Sequence, residues 1–131
     1  MKLADALEMV TRTDPGMIRS HNEDAIFADA GLGVAILADG MGGYNAGEVA
    51  SGLATTRLAE DIAGVINSPA VLGRGLSDAS VVEAHVVNEV KAANLAIFNA
   101  AQGCSQYTGM GTTLVLAWFY DNRMSVAHVG D

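Results

Sequence analysis

Asp39 and Gly40 are the residues of this sequence best suited to chemistry at a hard cation. They directly follow the uninterrupted apolar run Val34 to Ala38, which predicts a buried strand that ends at Asp39. A carboxylate at a strand end is fixed by the sheet behind it. Gly40 leaves the adjoining backbone carbonyl open to a ligand because it has no Cβ. Both groups offer oxygen atoms of the kind that divalent cations prefer.

A second acidic stretch, Glu23-Asp24, is preceded by Arg19 and His21. Each feature alone has a plainer explanation. Asp39-Gly40 is a common turn dipeptide, Glu23-Asp24 resembles a solvated loop pair, and Arg19 resembles a surface charge. Together, however, carboxylates beside a glycine-rich turn can hold cations, and the planar fork of an arginine can bind a phosphate. We keep His21 as a candidate neighbour of this site.

Other sites for phosphate or nucleophilic chemistry fit less well. The segment Gly40 to Gly47 precedes a helix, but it lacks the lysine and hydroxyl of a P-loop. Cys104 is the single cysteine, and the residue six positions later is Met110, whereas a cysteine-dependent phosphatase needs arginine there. His85 is expected to be solvated and His128 to be a hydrogen-bonded core residue. No serine, histidine and aspartate arrangement follows from the spacing.

Composition narrows the class of protein. The chain has 131 residues, 50% of them hydrophobic, with a mean hydropathy of +0.28, which predicts one domain with a packed core. Its formal net charge of -8 disfavours nucleic acid and anionic membranes as partners. A phosphorylated substrate would also be repelled unless bound cations invert the local field. No apolar run approaches the length of a membrane span, so we expect a cytoplasmic protein.

Five strands and two helices are predicted to position these residues. The strands are Leu7 to Thr13, Ala25 to Asp29, Val34 to Ala38, Thr112 to Tyr120 and Met124 to Val129, and the first three suggest an antiparallel meander. Two of them, 34–38 and 112–120, are apolar on both faces, which predicts a layer on each side of the sheet. Asp121-Asn122 predicts a tight turn.

The first helix is expected to begin after Asn45 and to end near Val65, with small residues at its start. It should therefore approach the sheet most closely near Asp39. Ser68-Pro69 and the glycines that follow predict a loop. A capping-box pattern at Ser80 predicts the start of the second helix, whose apolar stripe extends to Ala101.

Four motifs, in order, resemble those of the metal-dependent protein phosphatase family, often called PP2C. They are Arg19-Ser-His-Asn-Glu23-Asp24, Asp39-Gly-Met-Gly-Gly43 with Gly47-Glu48 and Ala50-Ser51, Gly109-Met-Gly-Thr-Thr113, and Val129-Gly130-Asp131. The second motif is similar to that of the compact bacterial members. The resemblance implies an α+β fold, the α/β/β/α sandwich of two antiparallel sheets flanked by helices. Residues 1–131 would be the N-terminal part of this single domain.

The resemblance also implies roles by position. Arg19 would bind the substrate phosphate. Asp39 would bridge two Mg2+ or Mn2+ ions, with the carbonyl of Gly40 on one of them. Glu23 and Asp24 would hold metal-bound waters.

Asp131 matches the aspartate that is linked to a third, looser metal in the family. The family domain continues beyond this position and completes the two-metal site with further aspartates. Met41 stands where animal members tend to have histidine, so a histidine acid is not expected here.

The implied activity is hydrolysis of phosphoserine and phosphothreonine in proteins by a metal-activated water, without a covalent intermediate. The substrates would be products of a Ser/Thr kinase in bacterial signalling. The alternative is a truncated, non-catalytic or regulatory module that binds a partner through an uncovered sheet. Because Asp131 directly follows a core strand, we expect a chain cut inside its sheet. Alone, it should be inactive and should self-associate or bind a covering partner.

Overall fold

An antiparallel sheet with helices on one face forms the framework of the computed structural model, which describes residues 2–131. Two hairpins build most of the sheet, and its strand order is β1-β2-β4-β5, with the short β3 also paired to β2. The elements are α1 (Leu3–Ala6), β1 (Asp24–Asp29), β2 (Val34–Met41), α2 (Ala46–Ile66), α3 (Pro69–Arg74), α4 (Ala79–Gly103), β3 (Gly111–Thr112), β4 (Leu114–Tyr120) and β5 (Arg123–Val129), with a 3-10 turn at Ser105–Tyr107.

Strand β2 lies at the centre of the sheet and is longer than predicted. It continues through Asp39 and Gly40 to Met41 because β3 pairs with its last two residues. Asp39 therefore lies within a strand, which corrects both the predicted strand end and the turn reading. The predicted strand 112–120 is divided at Thr113, whose backbone N–H donates to the Asp39 carbonyl at 2.9 Å.

The predicted turn between β4 and β5 is confirmed. Asp121 and Asn122 both have positive φ, 45° and 56°, which is the backbone of a type I′ hairpin turn. Asparagine and aspartate tolerate this conformation better than other residues with a Cβ. The turn fixes the register of the hairpin, in which Tyr120 is opposite Arg123 and Leu114 is opposite Val129.

Helices α2 and α4 cover one face of the sheet. Alternate residues of the two central strands, such as Ile36 and Trp118, are buried against Leu58 and Ile62 of α2. Val82 of α4 belongs to the same core. Full burial of each such side chain stabilises the fold by about 1.5–3 kcal/mol. The apolar stripes predicted for both helices therefore do face the core.

Neither α2 nor α4 covers the opposite face of the sheet, so the prediction of burial on both faces is wrong for residues 2–131. Leu37 is 47% exposed and Val115 is 46% exposed. Residues 7–12 lie over this face and, with residues 26–28 and 35–37, line an open cavity of about 550 Å³. Because this segment crosses the face and not an edge, it has no ladder partner. The strand predicted at 7–13 is absent for that reason.

The helix boundaries confirm one prediction and correct two. Helix α2 begins after Asn45 and ends at Ile66, as expected. Helix α4 is capped by Asp78, whose carboxylate accepts from the Ser80 backbone N–H at 2.9 Å, so Ser80 is not the cap. The loop predicted after Ser68 contains α3, because Ser68 caps that helix and a proline occupies its first turn. No helix within residues 2–131 is both long enough and apolar enough for a bilayer span.

Candidate active site

The adjacent ends of β1 and β2 bring two carboxyl groups together. Asp24 is the Cα partner of Asp39, and directly opposed residues in an antiparallel pair point to the same face. The pKa of Asp24 is raised, first by partial burial and then by the charge of Asp39 and a hydrogen bond with its carboxyl group. Glu23 adds repulsion, whereas the positive charge of Arg19 opposes the shift. A proton or a cation would relieve the repulsion at this pair.

The backbone of Glu23 is held by two hydrogen bonds. The hydroxyl of Ser51, which is fully buried on α2, donates to the Glu23 carbonyl at 2.6 Å. The backbone N–H of Gly40 donates to the same carbonyl at 3.0 Å. Glu23 thereby connects β2 to α2, and these bonds fix the position from which Asp24 projects.

Gly40 and Gly47 form a backbone contact between the sheet and α2 that is too close for a Cβ. A Cβ on Gly40 would overlap the Gly47 carbonyl group, and a Cβ on Gly47 would overlap the side chain of Glu23. The predicted close approach near Asp39 is therefore confirmed. The Glu23 carboxylate lies beside the first turn of α2, where the helix dipole favours a negative charge.

A small polar cavity of about 230 Å³ contains the acidic pair. It brings Arg19, Glu23, Asp24 and Asp39 together, as the motifs predicted, and includes the candidate neighbour His21. Its lining is Asp14, Pro15, Arg19, His21, Asn22, Glu23, Asp24 and Asp39. Gly40 is buried behind this cavity, at the contact with α2.

Asp131 is not among the residues that line the cavity. It is exposed, directly after β5 and Gly130. Gly130 lies against the side chain of Thr113, and Thr113 donates to the Asp39 carbonyl. The end of β5 is thus connected to the Asp39 backbone through one residue.

Arg19 is available to a ligand. Within residues 2–131 its guanidinium forms no ion pair. It nevertheless lies close enough to Asp24 for its positive charge to counteract part of the rise in the pKa of that carboxyl group. His21 has a partner, because its Nδ1 lies 3.5 Å from Oε1 of Glu48 in the first turn of α2. Arg19 is thus the cationic side chain of the cavity that can bind an anion.

The other two histidines lie outside the cavity. His128 is exposed, which contradicts the prediction of a core residue. It is opposite Val115, on the sheet face that the helices do not cover. His85 lies among the helices and is half-buried, so it is less solvated than predicted.

Asp14 and Asn22 are cavity residues that the sequence did not single out. Asn22 donates from its side-chain nitrogen to the Thr13 hydroxyl at 2.7 Å and accepts from the backbone N–H of Asp24 at 3.0 Å. The carboxylate of Asp14 accepts from the backbone N–H of Gly16 at 2.7 Å. Asn and Asp side chains often form hydrogen bonds with the backbone two residues later in the chain. The presence of these two residue types in the loop was therefore the signal in the sequence that could have indicated their structural role.

The donor set fits a hard cation in part. Asp24 and Asp39 supply oxygen donors only, which suits Mg2+ or Mn2+ better than softer metals. Across residues 2–131, however, no group of three His, Cys, Asp or Glu side chains is placed to hold a metal ion. Two carboxylates would leave most of the coordination sphere to water or to other ligands.

Known proteins with these features identify the family. A profile of the protein phosphatase 2C family matches residues 19–131. The chain belongs to this family. Among its relatives, it is 37% identical over 125 residues to the serine/threonine protein phosphatase PstP of Mycobacterium tuberculosis, covering 95% of the chain and 22% of PstP. It is also 37% identical over 123 residues to the serine/threonine phosphatase stp of Listeria monocytogenes, covering 92% of the chain and 46% of that protein.

The fold of the PP2C family is confirmed in the chain. The crystal structure of the PstP catalytic domain in complex with two manganese ions matches with a TM-score of 0.75 and 38% identity, covering 92% of the chain and 46% of that domain. The antiparallel sheet with flanking helices is therefore the PP2C architecture. The chain spans less than half the length of these relatives.

Proposed function

We propose that these residues form part of the active site of a protein phosphatase that hydrolyses phosphoserine and phosphothreonine in proteins. One observation carries the proposal. A single cavity contains Arg19, whose guanidinium has no ion-pair partner among residues 2–131, beside the Asp24 and Asp39 carboxyl pair. The relatives named above are serine/threonine phosphatases, which supports the same reaction here.

Each side chain has a defined task in this proposal. Arg19 binds two oxygens of the phosphate and stabilises the charge on them during transfer. Asp39 holds divalent cations, Mg2+ or Mn2+, with the Gly40 carbonyl as a further ligand. Glu23 and Asp24 orient water around those ions. When bound, the cations lower the pKa of water enough to supply the nucleophile at neutral pH.

Two further assignments belong to the proposal. Asp131 would contribute to a looser cation site once further ligands join it. The substrates would be phosphoproteins that a Ser/Thr kinase has produced. The manganese in the PstP structure supports the choice of ion.

The experiment uses a complete PP2C domain that contains these residues, because residues 1–131 alone are expected to be inactive. It separates cation binding from phosphate binding. Asp39→Asn should weaken Mn2+ binding in calorimetry by about tenfold or more, because a charged ligand is lost. Arg19→Ala should leave Mn2+ binding intact and lower kcat/KM for a phosphopeptide by about 10- to 100-fold, which corresponds to a charge-assisted hydrogen-bond pair.

Matched controls use the same residue types outside the cavity. Asp29→Asn changes the exposed aspartate at the other end of β1, and Arg12→Ala changes an exposed arginine of the N-terminal segment. Both should behave like the unmodified protein. Equal Mn2+ binding by Asp39→Asn and Asp29→Asn would contradict the cation assignment.

A second candidate function rests on the exposed face of the sheet. Leu37 and Val115 would suit a non-catalytic module that binds a partner through this face. Replacing both with serine should abolish such binding while leaving Mn2+ binding intact. Loss of hydrolysis in Arg19→Ala, without loss of partner binding, would favour the enzyme.

A further inference from the structure

Residues 13–22 form a loop that is closed at its neck. The side-chain amide of Asn22 donates to the Thr13 hydroxyl at 2.7 Å, so the first and last parts of the loop are joined. Near its start, the Asp14 carboxylate accepts from the backbone N–H of Gly16, where a φ of 81° reverses the chain. These bonds hold the loop as one wall of the small cavity.

The tip of this loop is apolar and uncharged. It consists of Met17 and Ile18, whose side chains are both fully exposed. Ile18 immediately precedes Arg19, so its Cα lies about 3.8 Å from that of the phosphate-binding residue. Pro15 and Arg19, which flank the tip in the chain, both line the cavity, so the tip lies at its rim.

The size of the cavity limits what it can hold. Pockets for drug-sized ligands occupy about 300–1,000 Å³, and this cavity has only about 230 Å³. It can admit one phosphorylated side chain but not the residues on either side of it. Those residues must cross the rim, and an extended peptide advances about 3.3 Å per residue. Because Ile18 is fully exposed and covalently adjacent to Arg19, a peptide residue that leaves the cavity on the Arg19 side passes close to it.

We propose that Met17 and Ile18 form an apolar platform that contacts the residue beside the phosphorylated serine or threonine. This inference rests on the function proposed above for the cavity. It commits to phosphopeptides with an apolar flanking residue as the preferred substrate class. Acidic flanking residues are disfavoured, because four of the cavity residues are carboxylates: Asp14, Glu23, Asp24 and Asp39.

Fluorescence anisotropy with two phosphothreonine peptides tests the inference. One peptide has leucine on both sides of the phosphothreonine, and the other has serine. Binding is measured without metal and with Mn2+, using residues 1–131, which are expected to be inactive alone and so to leave the phosphopeptides intact. We expect the leucine peptide to bind about tenfold more tightly, from partial burial of two apolar side chains. In the double variant Met17→Ser, Ile18→Ser this ratio should fall to near one.

Leu72→Ser is the matched control, because Leu72 is also an exposed apolar residue but lies on α3, outside the cavity lining. It should keep the full preference. Arg19→Ala should weaken both phosphopeptides and preserve their ratio.

The outcomes separate this inference from the proposed function. No preference in the unmodified protein, or a preference that survives the double variant, would overturn the platform. Dependence of binding on the phosphate and on Arg19 would then still support the phosphatase site. If removal of the phosphate does not change binding, both proposals fail.

Discussion

Gly40→Ala is the substitution that most directly tests how the sheet and α2 hold the acidic pair. The new Cβ would lie 2.6 Å from the carbonyl carbon of Gly47 and 2.9 Å from the carbonyl oxygen of Glu23. Ordinary contacts of a Cβ begin near 3.4 Å. Both neighbours are backbone atoms, so no side-chain rotation can relieve the overlap. The start of α2 must move away from β2 by about 1 Å, as overpacked cores do.

The cost is expected to be near the upper end of the range for overpacking, about 3 kcal/mol. For a domain of this size, 1 kcal/mol corresponds to about 3–4 °C in Tm. Gly40→Ala should therefore lower Tm by about 10 °C. The same movement disturbs the bond from the Gly40 N–H to the Glu23 carbonyl, so Mn2+ binding should weaken as well.

The control is Gly52→Ala, because Gly52 is a glycine of α2, the helix that Gly40 contacts, but has no atom within 4 Å of the position of a new Cβ. It should raise stability by about 0.8–1 kcal/mol through helix propensity alone. Thermal unfolding followed by circular dichroism measures both variants. A Tm for Gly40→Ala equal to or above that of the unmodified protein would refute the close contact and the role assigned to it.

Three further changes have defined outcomes. Ser51→Ala removes the buried donor to the Glu23 carbonyl and should cost about 1–2 kcal/mol in urea unfolding. Asn122→Gly places a glycine where φ is positive and should raise the free energy of unfolding by about 0.5 kcal/mol, which is measured as a higher Tm. The pKa of Glu89 is raised, first by a hydrogen bond with Asp61, then by burial and repulsion. That contact therefore stabilises the fold below the ordinary pKa of 4.5 and is lost as pH rises through the raised value. In Glu89→Gln the side-chain amide still donates a hydrogen bond to Asp61 but carries no charge at any pH. The variant should therefore stabilise the protein at pH 7 by less than about 1 kcal/mol, and its Tm should depend less on pH above 4.5.

Local patterns in the sequence determined most of the elements. The apolar runs at residues 34–38 and 112–120 predict buried strands because a strand covered on both faces is apolar at successive positions. The stripes of α2 and α4 predict helices that bury one side, and Asp121-Asn122 predicts the hairpin. These signals depend on residues that are close in the chain. The motif around Arg19 and Asp24 likewise named the main cavity residues, since they are neighbours in sequence.

Tertiary structure decided what depends on residues that are distant in the chain. Residues 34–38 are equally apolar on both sides, so only packing shows that the helices cover one face and leave Leu37 half exposed. His128 lies within an apolar strand, which predicted a core position. The strand register instead places it opposite Val115, on the uncovered face. The segment 7–13 alternates like a strand, but a strand needs a free edge, and it lies across a face. Only the pairing of β1 with β2 brings Asp24 to Asp39. The register of this pair decides which carboxylates meet, and register is fixed by which face of the strand is buried in the folded protein.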